Sequence, residues 1–453
     1  MADDPAVLPK LRRSPARGIS IEDEWQAYCE KRGMKHVCEP ELLTQLKDLT
    51  LQKLRLHFLK HQNELDEEQA VIFDTLNGDR TPMQPLDHVR NSIFVRIQPK
   101  ATATKLYKDV WEPLEARILE SKPRRMNSET LFLYDYIISR GEKKGRESIN
   151  ASRGAVLFGK LTADKDSAAL EQFIRDDFSH SMALWPVAVG TTDEAHIPGR
   201  PIRFDDETIH LIRSIYELTE GPATPAVLLY LSNYSKGQIH DQVELRRLLH
   251  LIEAYVARNI LAGRALNPLR RRFIDVLAGL AGSSDINRLK ESLARDWPSN
   301  KEIMEYAVND ESPYYEDVRP LALGAILRGI ENKLSGERWL PLGKGDNDYQ
   351  VEHIYPQSGK QWVRDLREWK ENKSKMDERV HMLGNLTLVT AEHNKKVGSE
   401  PFRVKRDYPK REGVASLRLN TDSWLREKTW GVSSIEKRTV ALIKAALEYW
   451  KLA

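Results

Sequence analysis

The run Val351-Glu352-His353-Ile354-Tyr355-Pro356-Gln357 restricts what this chain can become more than any other stretch. It reads as an apolar strand ending in an acid and a histidine, with a proline that cannot donate to a sheet ladder placed just beyond them. About thirty residues later Leu383-Gly384-Asn385-Leu386-Thr387-Leu388 reads as a second strand, and Glu392-His393-Asn394-Lys395-Lys396 opens a helix. Adjacent residues of an extended strand point to opposite faces, so Glu352 and His353 share a pocket only if the chain bends at Ile354-Tyr355-Pro356. A histidine beside a glutamate is ordinary surface chemistry. The pair, the Pro-Gln exit, the Asn-Leu-Thr-Leu strand and the Asn-Lys-Lys helix start together are far more specific.

The constellation resembles an HNH (ββα-metal) nuclease centre. Phosphodiester cleavage near neutral pH needs a base to take a proton from water, and a divalent cation to offset charge on the phosphate and the leaving 3′-oxygen. Histidine has the unperturbed pKa for the first task, and a carboxylate with an amide oxygen are hard ligands suited to Mg²⁺ (or Mn²⁺). More narrowly, Glu-His-Ile-x-Pro-Gln at Glu352 to Gln357, His-x-Leu-Gly-Asn-Leu-Thr-Leu at His381 to Leu388, Asn394, and Ser-x-Pro-Phe-x-x-Lys at Ser399 to Lys405 are similar to the HNH half of GmrSD-type modification-dependent restriction endonucleases. The resemblance implies His353 as general base, Glu352 and Asn394 as metal ligands, and Asn385 in the catalytic set as the brace of the loop carrying the histidine. Lys395, Lys396, His381 and Lys405 are the candidates for holding the nucleic-acid backbone, with packing the alternative for His381 and for His393. Many relatives have Ser-Asn before the Pro-Phe where this chain has Gly398-Ser399-Glu400, which leaves no second asparagine to carry a role.

Charge supports a nucleic-acid partner only locally. The formal net charge is +3, but residues 355–410 hold thirteen Lys/Arg against eight Asp/Glu, a patch suited to phosphate binding by counterion release. The 453-residue chain is 30% charged, has no apolar run of membrane-span length and no signal-peptide core at Met1-Ala2-Asp3-Asp4-Pro5, so a soluble, cytoplasmic protein with no membrane partner is expected. Its two cysteines, Cys29 and Cys38, are too few for a disulfide scaffold and lie far from the motif.

The expected fold is mainly α: a helical body followed by a ββα-metal, HNH-like nuclease domain. Residues 1–100 are expected to be a proline-bearing arm and a helical remnant of a DGQQR-family domain, 101–340 a helical domain, and 341–453 the nuclease domain with a C-terminal helix. In the first part, 69–94 reads as helix, turn, helix, with Asn77-Gly78 stopping one helix and Pro85 starting the next. That stretch resembles the C-terminal part of the DGQQR-bearing half of the same restriction family. The DGQQR motif itself does not occur in the chain, Lys236-Gly237-Gln238 being the nearest match, and there is no Walker-type sequence.

Across the body, Leu245, Leu248, Leu249, Ile252 and Val256 predict a helix capped by Asp241 and ended by Gly263. Leu323, Ile326, Leu327 and Ile330 predict another over 319–334. The basic, glycine-punctuated loop 139–146 reads as an exposed break without a ligand, contact with a DNA backbone being the alternative, and the stretch around Trp185-Pro186 and 196–201 as an irregular connection. Ser433 and Glu436 have capping-box spacing ahead of an apolar stripe, Ile435 to Trp450, that reaches the C-terminus.

The resemblance implies a metal-dependent DNA endonuclease subunit of a bacterial anti-phage restriction system. It would act on modified or foreign double-stranded DNA, and a separate DGQQR-domain protein would supply the missing half. A non-cleaving DNA-binding or regulatory subunit and an RNA-cleaving toxin are the alternatives.

Overall fold

A computed structural model describes residues 84–121, 127–141, 151–309, 314–336, 349–358, 360–408 and 417–452, with backbone alone at 151–155. They belong to one compact unit, Met83–Ala453. The arm, the first helix of the 69–94 hairpin, both cysteines, the 341–348 turn and residues 142–146 of the basic loop lie outside the described residues. The architecture is mainly helical, as expected, with two small antiparallel sheets. Among the described residues no helix is long and apolar enough to cross a membrane.

Pro85 does start a helix, Pro85–Phe94, at a position where its missing N–H costs nothing. The stretch from 185 to 203 corrects the expectation of an irregular connection. Trp185 and Pro186 are buried within a helix, Ser179–Ala188, and a hairpin follows, β1 (Glu194–Ile197) paired with β2 (Arg200–Arg203). The two-residue turn between them is Pro198-Gly199, and Gly199 takes φ +77°, a conformation glycine adopts without a Cβ penalty. Glu194 to Ile197 does alternate polar and apolar, but four residues are too short a run to declare a strand.

Helix α1 (Gln242–Leu261) is the centre of the body. Asp241 caps it by accepting from the Glu244 N–H, and all five predicted stripe residues are buried. Leu251, Ala254, Tyr255 and Ala257 are buried too, so from Leu251 to Leu261 the helix is surrounded on every side, while Val243 and Arg247 in its first half stay exposed. That position forces two charges inside, and both are satisfied. Glu253 accepts from Ser214 (2.5 Å) and from the Trp450 indole (3.1 Å), while Arg258 donates to the carbonyls of Pro298 (2.8 Å) and Trp450 (3.1 Å). The chain's C-terminus is thereby tied to its central helix.

Two further pieces lead to the site. The one-turn helix α2 (Tyr314–Asp317) is anchored by buried Tyr314, whose hydroxyl donates to the Leu261 carbonyl at the end of α1 (2.8 Å). Helix α3 (Pro320–Leu334) buries Leu323, Ile326, Leu327 and Ile330 as expected. It packs on β3 (Tyr349–His353) and β4 (Leu386–Thr390), an antiparallel ribbon.

The helix α4 (Ala391–Val397) follows the ribbon directly, then α5 (Phe402–Asp407), the single turn α6 (Arg418–Thr421) and the terminal helix α7 (Val432–Tyr449). The capping box at Ser433 is not formed. Gly431 is the extended N-cap residue, Ser433 already lies inside the helix, and Glu436 is held by Arg379 instead (2.8 Å). Helix α7 packs on α3 and on the turn Leu383–Asn385 ahead of β4. A side chain at Gly384 would collide with the Ile435 carbonyl and Thr439, so only glycine permits that approach.

Candidate active site

The ribbon sets the site's register: Glu352 stands opposite Thr387 and His353 opposite Leu386. The chain bends at Ile354-Tyr355, as the proline suggested, and Asn385 holds the bend. This fully buried amide accepts from the Tyr355 N–H (2.8 Å) and the Trp430 indole (3.1 Å), and donates to the carbonyls of Tyr355 (2.9 Å) and Val380 (2.8 Å). The Asn385 carbonyl also accepts from the Ile354 N–H (2.8 Å). Removing the side chain would strand four buried partners at about 1–3 kcal/mol each, so Asn385 is a positioning residue. Arg438 of α7 supports the same turn from behind, donating to the carbonyls of Gly384 (2.7 Å) and Leu386 (2.6 Å). Burial lowers its guanidinium to about 9, still protonated at neutral pH.

His353 is 5% exposed. Burial pulls its ring down to about 3, helped by the nearby His381 and the Lys405 ammonium, so it is neutral at pH 7. Its Nε2 lies 3.2 Å from Nδ1 of His381, whose Nε2 lies 3.1 Å from the Glu316 carboxylate. Tyr315 stacks on His381 and packs edge-on against His353, with centroids 5.6 and 4.3 Å apart. His381 thus sits against the candidate base, with its far nitrogen engaged by a carboxylate rather than waiting for a phosphate.

The bend does not give the side chains of Glu352 and His353 a common partner. The Glu352 carboxylate is met by Lys405, whose Nζ lies 3.0 Å from Oε1 and donates to the His353 carbonyl at 2.6 Å. Lys405 is 2% exposed, and burial pulls its ammonium below the ordinary lysine value against the opposing influence of Glu352. Its placement on a nucleic-acid backbone is therefore corrected. An ammonium with donors committed to a carboxylate and a carbonyl inside the protein fastens α5 to β3.

On α4, Asn394 donates to the Gln350 side chain (3.4 Å), two residues before Glu352 on the same face of β3. Lys395 and Lys396 are exposed, Lys396 beside Glu392 at 2.7 Å. His393 faces inward, is 2% exposed, and among the described residues neither ring nitrogen has a hydrogen-bond partner. Burial and the Lys405 charge lower it to about 4. Packing, not phosphate, is what surrounds it, with the Tyr408 ring edge-on at 5.3 Å.

The donors suit a hard divalent cation. Glu352 offers the carboxylate oxygen that Lys405 leaves open, and Asn394 and Gln350 offer amide oxygens from the neighbouring helix and strand. Mg²⁺ takes one or two carboxylates with water and substrate oxygens completing its shell, which such a set allows. The acidic group Asp87, Glu115 and Glu129 lies in other helices, and Arg90 already pairs with two of its members.

Sequence reasoning missed Tyr315, Glu316, Gln350 and Arg438. Gln350 had a local signal, being on the motif strand in phase with Glu352. The others come from elements whose approach only the folded chain creates.

Residues 297–445 match the family model described as GmrSD restriction endonucleases, C-terminal domain. The matched span is similar to that domain over the whole site, from before α2 to within α7. No curated protein matches the chain.

Proposed function

We propose that this chain is a Mg²⁺- or Mn²⁺-dependent DNA endonuclease subunit of an anti-phage restriction system, cutting modified or foreign DNA together with a DGQQR-bearing partner. The observation that carries the reading is the neutral His353 at the end of a strand whose following bend is locked by Asn385, inside the span similar to a restriction-endonuclease domain. His353 accepts the proton of a water molecule as the water oxygen attacks phosphorus; the bond from phosphorus to the 3′-oxygen breaks, and that oxygen takes a proton from solvent. A phosphate drawn close to the ring raises its proton affinity, which offsets the burial that otherwise lowers it. Glu352 and Asn394, with Gln350 beside them, would hold the cation, whose bound charge offsets that of the phosphate and the leaving oxygen. Lys395 and Lys396 steady the backbone from the exposed face of α4.

Plasmid cleavage with the partner present, in Mg²⁺ or Mn²⁺ and in EDTA, tests this. His353→Ala is expected to lower the rate by about 10²–10⁴-fold with folding and DNA binding retained. Cleavage by that variant at the wild-type rate removes His353 from the chemistry. A second reading, a DNA clamp that does not cut, draws on the slight exposure of His353; it predicts metal-independent DNA binding and no nicking by the wild type.

A further inference from the structure

We propose that Glu316 and His381 are positioning residues that select the tautomer of His353, leaving its Nδ1 as the lone pair that faces the reacting water. The inference rests on the nuclease reading for its consequence, but its geometry stands independently.

The argument is one of donors and acceptors. A carboxylate only accepts, so the nitrogen 3.1 Å from Glu316, Nε2 of His381, carries a proton. With His381 uncharged, as the proposal requires, its lone pair is at Nδ1. That lone pair lies 3.2 Å from Nε2 of His353, which must then be the donor. A neutral His353 protonated at Nε2 has its lone pair at Nδ1. Among the described residues Nδ1 of His353 has no hydrogen-bond partner, and unlike both nitrogens of His393 it is not sealed away from solvent. One surface carboxylate therefore fixes, through two rings, which nitrogen of the buried histidine is basic. When His353 takes the water proton on Nδ1, its Nε2–H remains on the His381 lone pair and the new charge is spread toward Glu316; no further proton need move.

The wiring is anchored from outside the motif. Tyr315 stacks on His381 and packs against His353, holding both rings, and Tyr314 locks α2 onto the end of α1. Glu316 itself is 64% exposed, so its removal should not disturb the fold.

The test has two independent readouts on the full chain. Long-range ¹H–¹⁵N spectra of protein labelled at its 12 histidines, assigned by single substitutions, report each ring's tautomer. His353 and His381 are expected as the Nε2–H form, and Glu316→Ala should give a mixture of tautomers at both. In cleavage assays with the partner, Glu316→Ala should lower kcat about tenfold with KM unchanged, and His381→Ala about a hundredfold. His381→Asn keeps an acceptor for the His353 Nε2–H and should restore the rate to within a few-fold of wild type. In that background Glu316→Ala should change nothing further, because Glu316 acts only through His381. An Nδ1–H tautomer at His381 in the wild type, or unchanged spectra in Glu316→Ala, overturns the inference. A wild type that has the expected tautomers but does not cut supports the wiring and overturns the nuclease reading instead.

Discussion

His353 and His393 belong to the same strand-strand-helix unit, both are buried, and burial holds both rings in the neutral form. They differ in what their nitrogens meet. His353 ends a chain of polar contacts that runs through His381 to a carboxylate at the surface, whereas His393, on the α4 side, has among the described residues no partner for either nitrogen, beside a Tyr408 hydroxyl that has none among them either. A buried neutral histidine is thus not in itself a functional sign. The wired ring has a defined basic nitrogen, and the unwired one has only a penalty for being charged. The Lys405 charge weighs on both.

The largest effect expected from disturbing this arrangement comes from Lys405→Met. Methionine keeps the apolar stem but leaves the Glu352 carboxylate and the His353 carbonyl without their donor, at a cost of about 2–4 kcal/mol. The thermal unfolding midpoint in EDTA should drop by several degrees. Mg²⁺ should stabilise the variant more than the wild type, since the cation no longer competes with an ammonium for Glu352. Equal Mg²⁺ shifts in the two proteins would show that Glu352 does not see the cation, and would count against the proposed metal site.

A smaller, pH-dependent effect separates the two histidines. The folded-state value of His393 lies at about 4, below the ordinary 6.5 of the unfolded chain. Between those values the unfolded chain binds more protons, so stability is full above about pH 6.5 and is lost as pH falls toward 4, with a slope of at most about 1.4 kcal/mol per unit. His353 contributes with the same sign down to about 3. His393→Leu should remove its own share only: thermal midpoints at pH 8 and pH 5 in EDTA should lie closer together in the variant. An unchanged gap would mean that His393 finds a partner for its charged form, and the contrast with His353 would lapse.

How much of this was readable beforehand follows from how local each signal is. The stripe from Leu245 to Val256 and the one from Leu323 to Ile330 declare helices because their period repeats within one element, and Asp241 caps where its position suggests. The capping box failed because its spacing is met by chance when glycine upstream serves as cap and the glutamate has a better partner in Arg379. At the site, Glu352, His353, Asn385 and Asn394 stood out as a motif, and the brace formed by Asn385 is visible in its hydrogen bonds. Glu316 and Tyr315 were not legible. They lie in a one-turn helix with no periodicity, and α1 and α3 bring them to the ribbon. Nor can a sequence say that a lysine is buried, because lysine is tolerated inside only where a distant carboxylate and carbonyl await it.

Lys395 and Lys396 complete the comparison with Lys405, being the same residue type near the same site but exposed. The Lys396 pair with Glu392 is an exposed contact four residues apart on a helix, screened by solvent and of little weight for stability. Replacing both by alanine should therefore leave the unfolding midpoint within a degree or two of wild type. DNA affinity should fall several-fold, alike for all sequences, and the slope of log K against log salt should become shallower by about 0.9 for each phosphate no longer neutralised. A weakening confined to particular sequences would place these lysines on bases, and an unchanged slope would take them off the DNA. The second result would leave the buried lysine as the only one of the three tied to the site, because its role depends on Glu352 and not on the bound strand.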